Sequence, residues 1–220
     1  PVRDSYIRQY TLTSLMPKAS KSLNVRLFDR YYAELNSRYE AVRKEYVLGD
    51  IIGKVKKGLE AHTPGISSLT LEDDSIDATG RGLKKIYKQA LMAMETAMKE
   101  STPENMHKWR KKTKYLWYQV KMLKLIWPGI MGNLGKEIHQ LSDYLGDEHD
   151  LSVLSDTLND KKYQGDSMVH SVKTFALDRK EYLSDQAVSL GSMVFCESPG
   201  RFSDRILSYW KVSLGKHTTG

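Results

Sequence analysis

Apolar and polar positions alternate along this chain with the helical repeat almost throughout. The clearest case is 105–127, NMHKWRKKTKYLWYQVKMLKLIW. Trp109, Thr113, Leu116, Val120, Leu123 and Trp127 fall on one stripe of a helix. His107, Arg110, Lys111, Lys114, Tyr118 and Lys121 recur at the same period on the far side. The stretch is read as one long helix started by Ser101-Thr-Pro-Glu104, which supplies a hydroxyl cap, a first-turn proline and an acid near the positive end of the dipole. Pro128-Gly129 stops it.

The same periodicity predicts helices elsewhere. Arg3–Leu15 is a short one. Leu23–Leu48 is long, with Phe28, Tyr32, Leu35, Tyr39, Val42 and Tyr46 on the apolar side and Arg26, Arg30 and Lys44 roughly opposite. Gly49–Ala61 is another, followed by a loop over His62–Gly80 that holds Pro64 and Gly65. Arg81–Lys99 buries Leu83, Ile86, Ala90, Ala93, Met94 and Ala97 and turns Arg81, Lys84, Lys85 and Lys88 away. Leu134–Leu145 is closed by Gly146, and Asp147 caps a further helix to Leu158, with Asp150 in its first turn. Ser167–Phe195 and Arg201–Leu214 complete the set, and Gly215–Gly220 is a frayed tail. No alternating strand pattern occurs. The fold class is all-α, an antiparallel helical bundle.

Charge sharpens the picture. The 220 residues carry a formal net charge of +7, with a pI of about 9.3, which points to an acidic partner. Placement says more than the sum. No Asp or Glu occurs between Glu104 and Glu137. A helix needing only solubility gains from mixing its charge signs one turn apart. This one accepts self-repulsion on a single face, and a large anion would relieve it. Arg81, Lys84, Lys85 and Lys88 form a second basic stripe, and Arg26 and Arg30 a third. Three such faces turned together would line a cationic channel, into which Tyr118 can donate its hydroxyl. For any single lysine, a solvated face is the simpler reading.

Other chemistry is thinly represented. Cys196 is the one cysteine, so no intrachain disulfide forms, which fits a reducing, cytoplasmic setting. No apolar run is long enough to span a bilayer, and no signal-peptide pattern opens the chain, which begins at Pro1. No nucleophile motif, Walker loop or dinucleotide fingerprint is present, and no cofactor is expected. Gly129, Gly132 and Gly135 form a loose glycine run, weak evidence for phosphate binding. His149-Asp150 is similar to the pair used by metal phosphohydrolases, but no ligand spacing accompanies it, so no metal is expected.

His107-Lys-Trp-Arg110-Lys111-Lys-Thr-Lys114-Tyr-Leu-Trp-Tyr118, followed by Leu145-Gly-Asp-Glu-His-Asp150-Leu-Ser-Val-Leu154, resembles the CHAD domain, the conserved histidine α-helical domain. The resemblance implies two related four-helix bundles about a pseudo-twofold axis, surrounding a basic pore that binds inorganic polyphosphate. By position it implies that His107, Arg110, Lys111 and Lys114 face the pore and that Arg81, Lys84, Lys85 and Lys88 add to it. Arg3 and Asp4 match the closing motif of a first repeat, as Val2–Ile7 echoes Glu148–Val153. On this reading 1–61 is the remainder of an incomplete first repeat whose histidine helix is absent. The second repeat and closing helices occupy 81–214, and the whole domain spans 1–214.

The leading expectation is therefore non-enzymatic polyphosphate binding. A single-stranded nucleic-acid binder is the alternative, disfavoured because Trp109 and Trp127 lie on the buried stripe rather than offering stacking platforms. A metal-dependent phosphohydrolase built on His149-Asp150 is the third. Oligomeric state is open.

Overall fold

The structure is a computed structural model that describes residues 5–7, 10–13, 25–68, 70, 73, 75–160, 165 and 167–217. All regular structure among them is helical. Residues 5–7 and 10–13 are helical. They precede α1 (Val25–Leu48), α2 (Ile51–Ser67), α3 (Ile76–Lys99), α4 (Pro103–Met122), α5 (Pro128–Thr157), α6 (Ser167–Val194) and α7 (Pro199–His217), and a 3-10 turn, Leu123–Ile126, links α4 to α5. No helix of the described residues is long and apolar enough to cross a membrane.

The chain divides into two compact units, one of Pro1–Glu72 with Asp150–Asp178 and one of Asp73–His149 with Arg179–Gly220. In the first, Leu12, Tyr31, Leu35, Leu151, Leu154 and Val172 are buried. Tyr31 takes the place expected of Tyr32, which is exposed. Asp50, in the left-handed region at φ 48°, starts α2 by accepting the Gly53 amide at 3.2 Å. That helix runs on through Pro64 instead of ending at Ala61. The Thr63 hydroxyl donates to the Leu59 carbonyl at 3.0 Å, the i−4 back-bond that Ser and Thr make inside helices and that often accompanies a bend.

The second unit holds the site. Ser75 caps α3 by accepting the Ala78 amide at 3.2 Å. Its buried face is Leu83, Ile86, Ala90, Met94 and Ala97, as the periodicity predicts, and it also buries Tyr87. The Tyr87 hydroxyl donates to the Val194 and Glu197 carbonyls at 3.1 and 3.2 Å, and its ring stacks on Phe202 at 4.1 Å. Helix α3 packs on α4 and on α7. The α7 approach is close at Gly80, whose carbonyl accepts the Ser203 hydroxyl at 2.8 Å.

Helix α4 begins as expected: Thr102 accepts the Asn105 amide at 3.2 Å, and Pro103 opens the first turn. Trp109, Leu116 and Val120 are fully buried, packing with Met131, Ile138, Leu141 and Leu145 of α5. Two expectations are corrected on this hairpin. Trp127 is about half exposed and packs edge-on against Tyr209 at 5.0 Å. The 3-10 turn rises with three residues per turn, so the stripe loses phase after Met122. The break expected at Gly146 does not occur: α5 is one helix of 30 residues, and Asp150 lies within it rather than in a first turn.

Candidate functional site: a basic seam between α4 and α5

Helices α4 and α5 run antiparallel in a fixed register. The His107 and His149 rings lie 5.3 Å apart. A Cβ placed on Gly146 would meet Arg110 Nη2 at 3.2 Å and Nε at 3.3 Å. Trp117 meets His139 edge-on at 4.3 Å. Beyond the end of α4, Lys124 Cε lies 3.7 Å from the Cβ position of Gly132. Each advance along the first strand of this seam, from 107 to 110, 117 and 124, matches an equal retreat along the second, from 149 to 146, 139 and 132. A heptad step of this kind keeps the same faces of two helices in contact.

The basic stripe lies along this seam. His107, Lys111, Lys114, Tyr118 and Lys121 are exposed, and Arg110 is half-buried. From His107 to Lys121 the stripe covers about 21 Å of helix at 1.5 Å per residue. None of its cations forms an ion pair among the described residues. The Arg110 Nε is the sharpest case, being buried with no hydrogen-bond partner among the described residues. Lys121 sits over the Trp117 ring at 5.1 Å, and Tyr118 lies 4.8 Å from the same ring. Lys108 is on another face and is neutralised by Glu104 at 2.8 Å. That contact holds the Glu104 carboxyl below its ordinary range.

Of the remaining sequence-predicted residues, Arg81 donates to Asp73. Hydrogen bonds from Ser75, and then the Arg81 guanidinium, hold the Asp73 carboxyl down to about 2. The Lys84 ammonium is 4.0 Å from the Cβ position of Gly200, on the α7 flank of α3. Lys85 and Lys88 are exposed. On the α4 flank the contact comes instead from Gln89, which accepts from Lys112 at 2.9 Å. Among the described residues, no hydrogen bond or ion pair joins Arg81, Lys84, Lys85 or Lys88 to the cations of the α4–α5 seam. Arg3 and the side chains of Arg26 and Arg30 lie outside the described residues.

The seam also gathers residues that sequence reading did not assign to the basic face: Trp117, Lys124, Lys136, His139 and His149. Lys136 and His139 each look like an ordinary surface residue on their own helix. Only the register against α4 sets them beside Trp117 and Lys121, where they line a cavity of about 460 Å³. His139 is paired with Asp143 at 2.7 Å. Among the described residues, no three His, Cys, Asp or Glu side chains come together as a metal-holding group.

Residues 1–159 match the family model of the CHAD domain. The chain belongs to the CHAD domain family. The matched stretch includes both the His107 motif on α4 and the Leu145–Leu154 motif on α5, the two sides of the seam. No curated protein and no solved structure matches the chain. CHAD domains are known for polyphosphate binding.

Proposed function

We propose that this CHAD domain binds inorganic polyphosphate, without chemical turnover, along the α4–α5 seam. The observation that carries the reading is Arg110. It is a half-buried guanidinium with no acidic partner among the described residues, flanked by His107, Lys111, Lys114 and Lys121, which also lack one. A cation taken partly out of water without a counter-charge is costly. A row of them on one face repels itself, and a phosphate chain laid along the seam offsets both penalties at once. Arginine supplies planar paired donors to phosphate oxygens, and the lysines add mobile point charges. His107, next to His149, donates a further hydrogen bond.

Binding of this kind works by counterion release, so affinity falls steeply with salt. For the four cations Arg110, Lys111, Lys114 and Lys121 the logarithmic slope is roughly −2.8, taking about 0.7 per phosphate neutralised on a single strand. The test is a salt titration of long-chain polyphosphate binding to the wild type and to the Arg110→Ala, Lys114→Ala double variant. The variant loses affinity and its slope flattens by roughly 1.4. Undiminished binding by a folded double variant refutes the assignment.

Single-stranded nucleic acid is the second reading. Trp117 and Tyr118 are partly accessible on the seam, as aromatic platforms must be. Trp117, however, has Lys121 over its face and His139 at its edge. Competition between polyphosphate and single-stranded DNA at matched charge and salt separates the two.

A further inference from the structure

The seam is not uniform along its length. Between His107 and Tyr118 its cations are spread about one to a turn. At its far end the side chains of Lys121, Lys124, Lys136 and His139 share one cavity of about 460 Å³. The volume falls in the range of small-ligand sites. Trp117 forms one wall and glycines of the first turns of α5 form another. No carboxylate is among its lining residues, and His139 is taken up by Asp143, so Lys121, Lys124 and Lys136 are the cations of the cluster. Lys121 is held at the cavity over the Trp117 ring, so its ammonium is positioned rather than free. The positive end of the 30-residue α5 opens onto the same space and adds to the field.

The 3-10 turn Leu123–Ile126, with Trp127 and Pro128, joins the two sides of the seam at this end. A phosphate chain laid down the seam from His107 reaches the cavity last, where the run of α4–α5 cations ends. A chain terminus seated there meets the whole cluster. A terminal phosphate has three free oxygens and a second ionisation near pH 6, so it carries close to two charges at neutral pH. An internal phosphate has two free oxygens and one charge. The densest cation cluster of the seam thus suits the densest anionic group of the chain.

We infer that this cavity is a receptor for the terminal phosphate of a linear polyphosphate, so that the domain reads chain ends as well as chain length. This rests on the polyphosphate reading of the seam. The experiment is calorimetry at fixed ionic strength with three probes: linear tripolyphosphate, cyclic tetrametaphosphate, which has no ends, and long-chain polyphosphate. Each is titrated into the wild type and into Lys124→Gln, Lys136→Gln. Both side chains are exposed, so the variant folds.

Wild type is expected to prefer the linear probe over the ring by on the order of tenfold, and the variant to bring that ratio to about one. Long-chain binding weakens in the variant, with a salt slope flatter by roughly 1.4, but persists because Arg110, Lys111, Lys114 and Lys121 remain. Equal affinity of the wild type for ring and linear probe, with long-chain binding intact, overturns end recognition and leaves the seam reading standing. Absence of long-chain binding to the wild type overturns both.

Discussion

Gly146 lies directly beneath Arg110: a Cβ there would sit 3.2 Å from one guanidinium nitrogen and 3.5 Å from the guanidinium carbon. The glycine is buried in the middle of α5, where it costs helix stability and ends nothing. Its use is to leave a groove in which an arginine lies flat across the partner helix. Gly146→Ala should therefore separate two quantities. Helix propensity favours alanine by about 1 kcal/mol, and the guanidinium can move aside at little cost. Thermal unfolding should show unchanged or slightly raised stability. Polyphosphate affinity should fall several-fold, because Arg110 is lifted from its seat. A variant that loses stability and affinity together would mean that Gly146 serves packing alone.

Gly191 meets a harder neighbour. A Cβ there would lie 2.8 Å from the Trp109 ring and 2.9 Å from the Met94 sulfur. Trp109 is fully buried at the centre of the second unit, so its ring has no free direction in which to move. Gly191→Ala should destabilise by about 1–3 kcal/mol, the usual cost of forcing extra volume into a packed core. Chemical denaturation checks this. Salt dependence of polyphosphate binding by the folded fraction should be unchanged, since no seam cation touches Gly191.

These two glycines show what a one-dimensional reading can and cannot recover. Periodicity alone places Trp109, Leu116 and Val120 in the core and His107, Lys111, Lys114 and Lys121 outside it, because one turn of a helix repeats whatever it packs against. Helix ends are harder. Gly146 followed by Asp147 has the composition of a stop and a cap, yet the glycine answers to Arg110 on another helix. Trp127 continues a stripe only if the helix does, and four residues of 3-10 turn shift it out. Pro64 carries the composition of a loop but sits inside α2. The site was half visible for the same reason. One face of α4 declares itself by its missing acids, whereas Lys136, His139 and His149 join it only through interhelical register.

Tyr87 gives a pH prediction. Burial is the largest influence on its phenol and pushes it up to about 12, with the Glu197 carbonyl hydrogen bond acting in the opposite direction. The neutral form is thus favoured by folding, since the folded value lies above the ordinary value of 10.0. The associated stability is fully present below pH 10 and is lost as the pH rises towards 12. In an absorbance titration, one tyrosine should ionise late, together with loss of near-ultraviolet circular dichroism. Tyr87→Phe should abolish the late step and cost about 1–3 kcal/mol at neutral pH, because two carbonyls lose their shared donor. A titration in which all tyrosines ionise together before unfolding would contradict the burial account.

Arg81 and Arg110 offer a comparison between two arginines of similar sequence promise. Arg81 already has an anion. Asp73 is ionised at any pH above its depressed value of about 2, and it holds the guanidinium at the start of α3. A phosphate competing for Arg81 must displace that carboxylate, whereas one approaching Arg110 displaces only water. Arg81→Ala should thus leave polyphosphate affinity within about twofold of wild type, and Arg110→Ala should lower it by on the order of tenfold, the loss of one charge-assisted paired contact. Asp73→Asn, which leaves Arg81 without its partner, separates engagement from distance. If it tightens polyphosphate binding and Arg81→Ala then reverses the gain, Arg81 lies within reach of the chain and Asp73 had masked it. If neither change moves the affinity, the binding surface ends at the α4 stripe, and the α3 lysines beside Arg81 should prove equally silent when replaced.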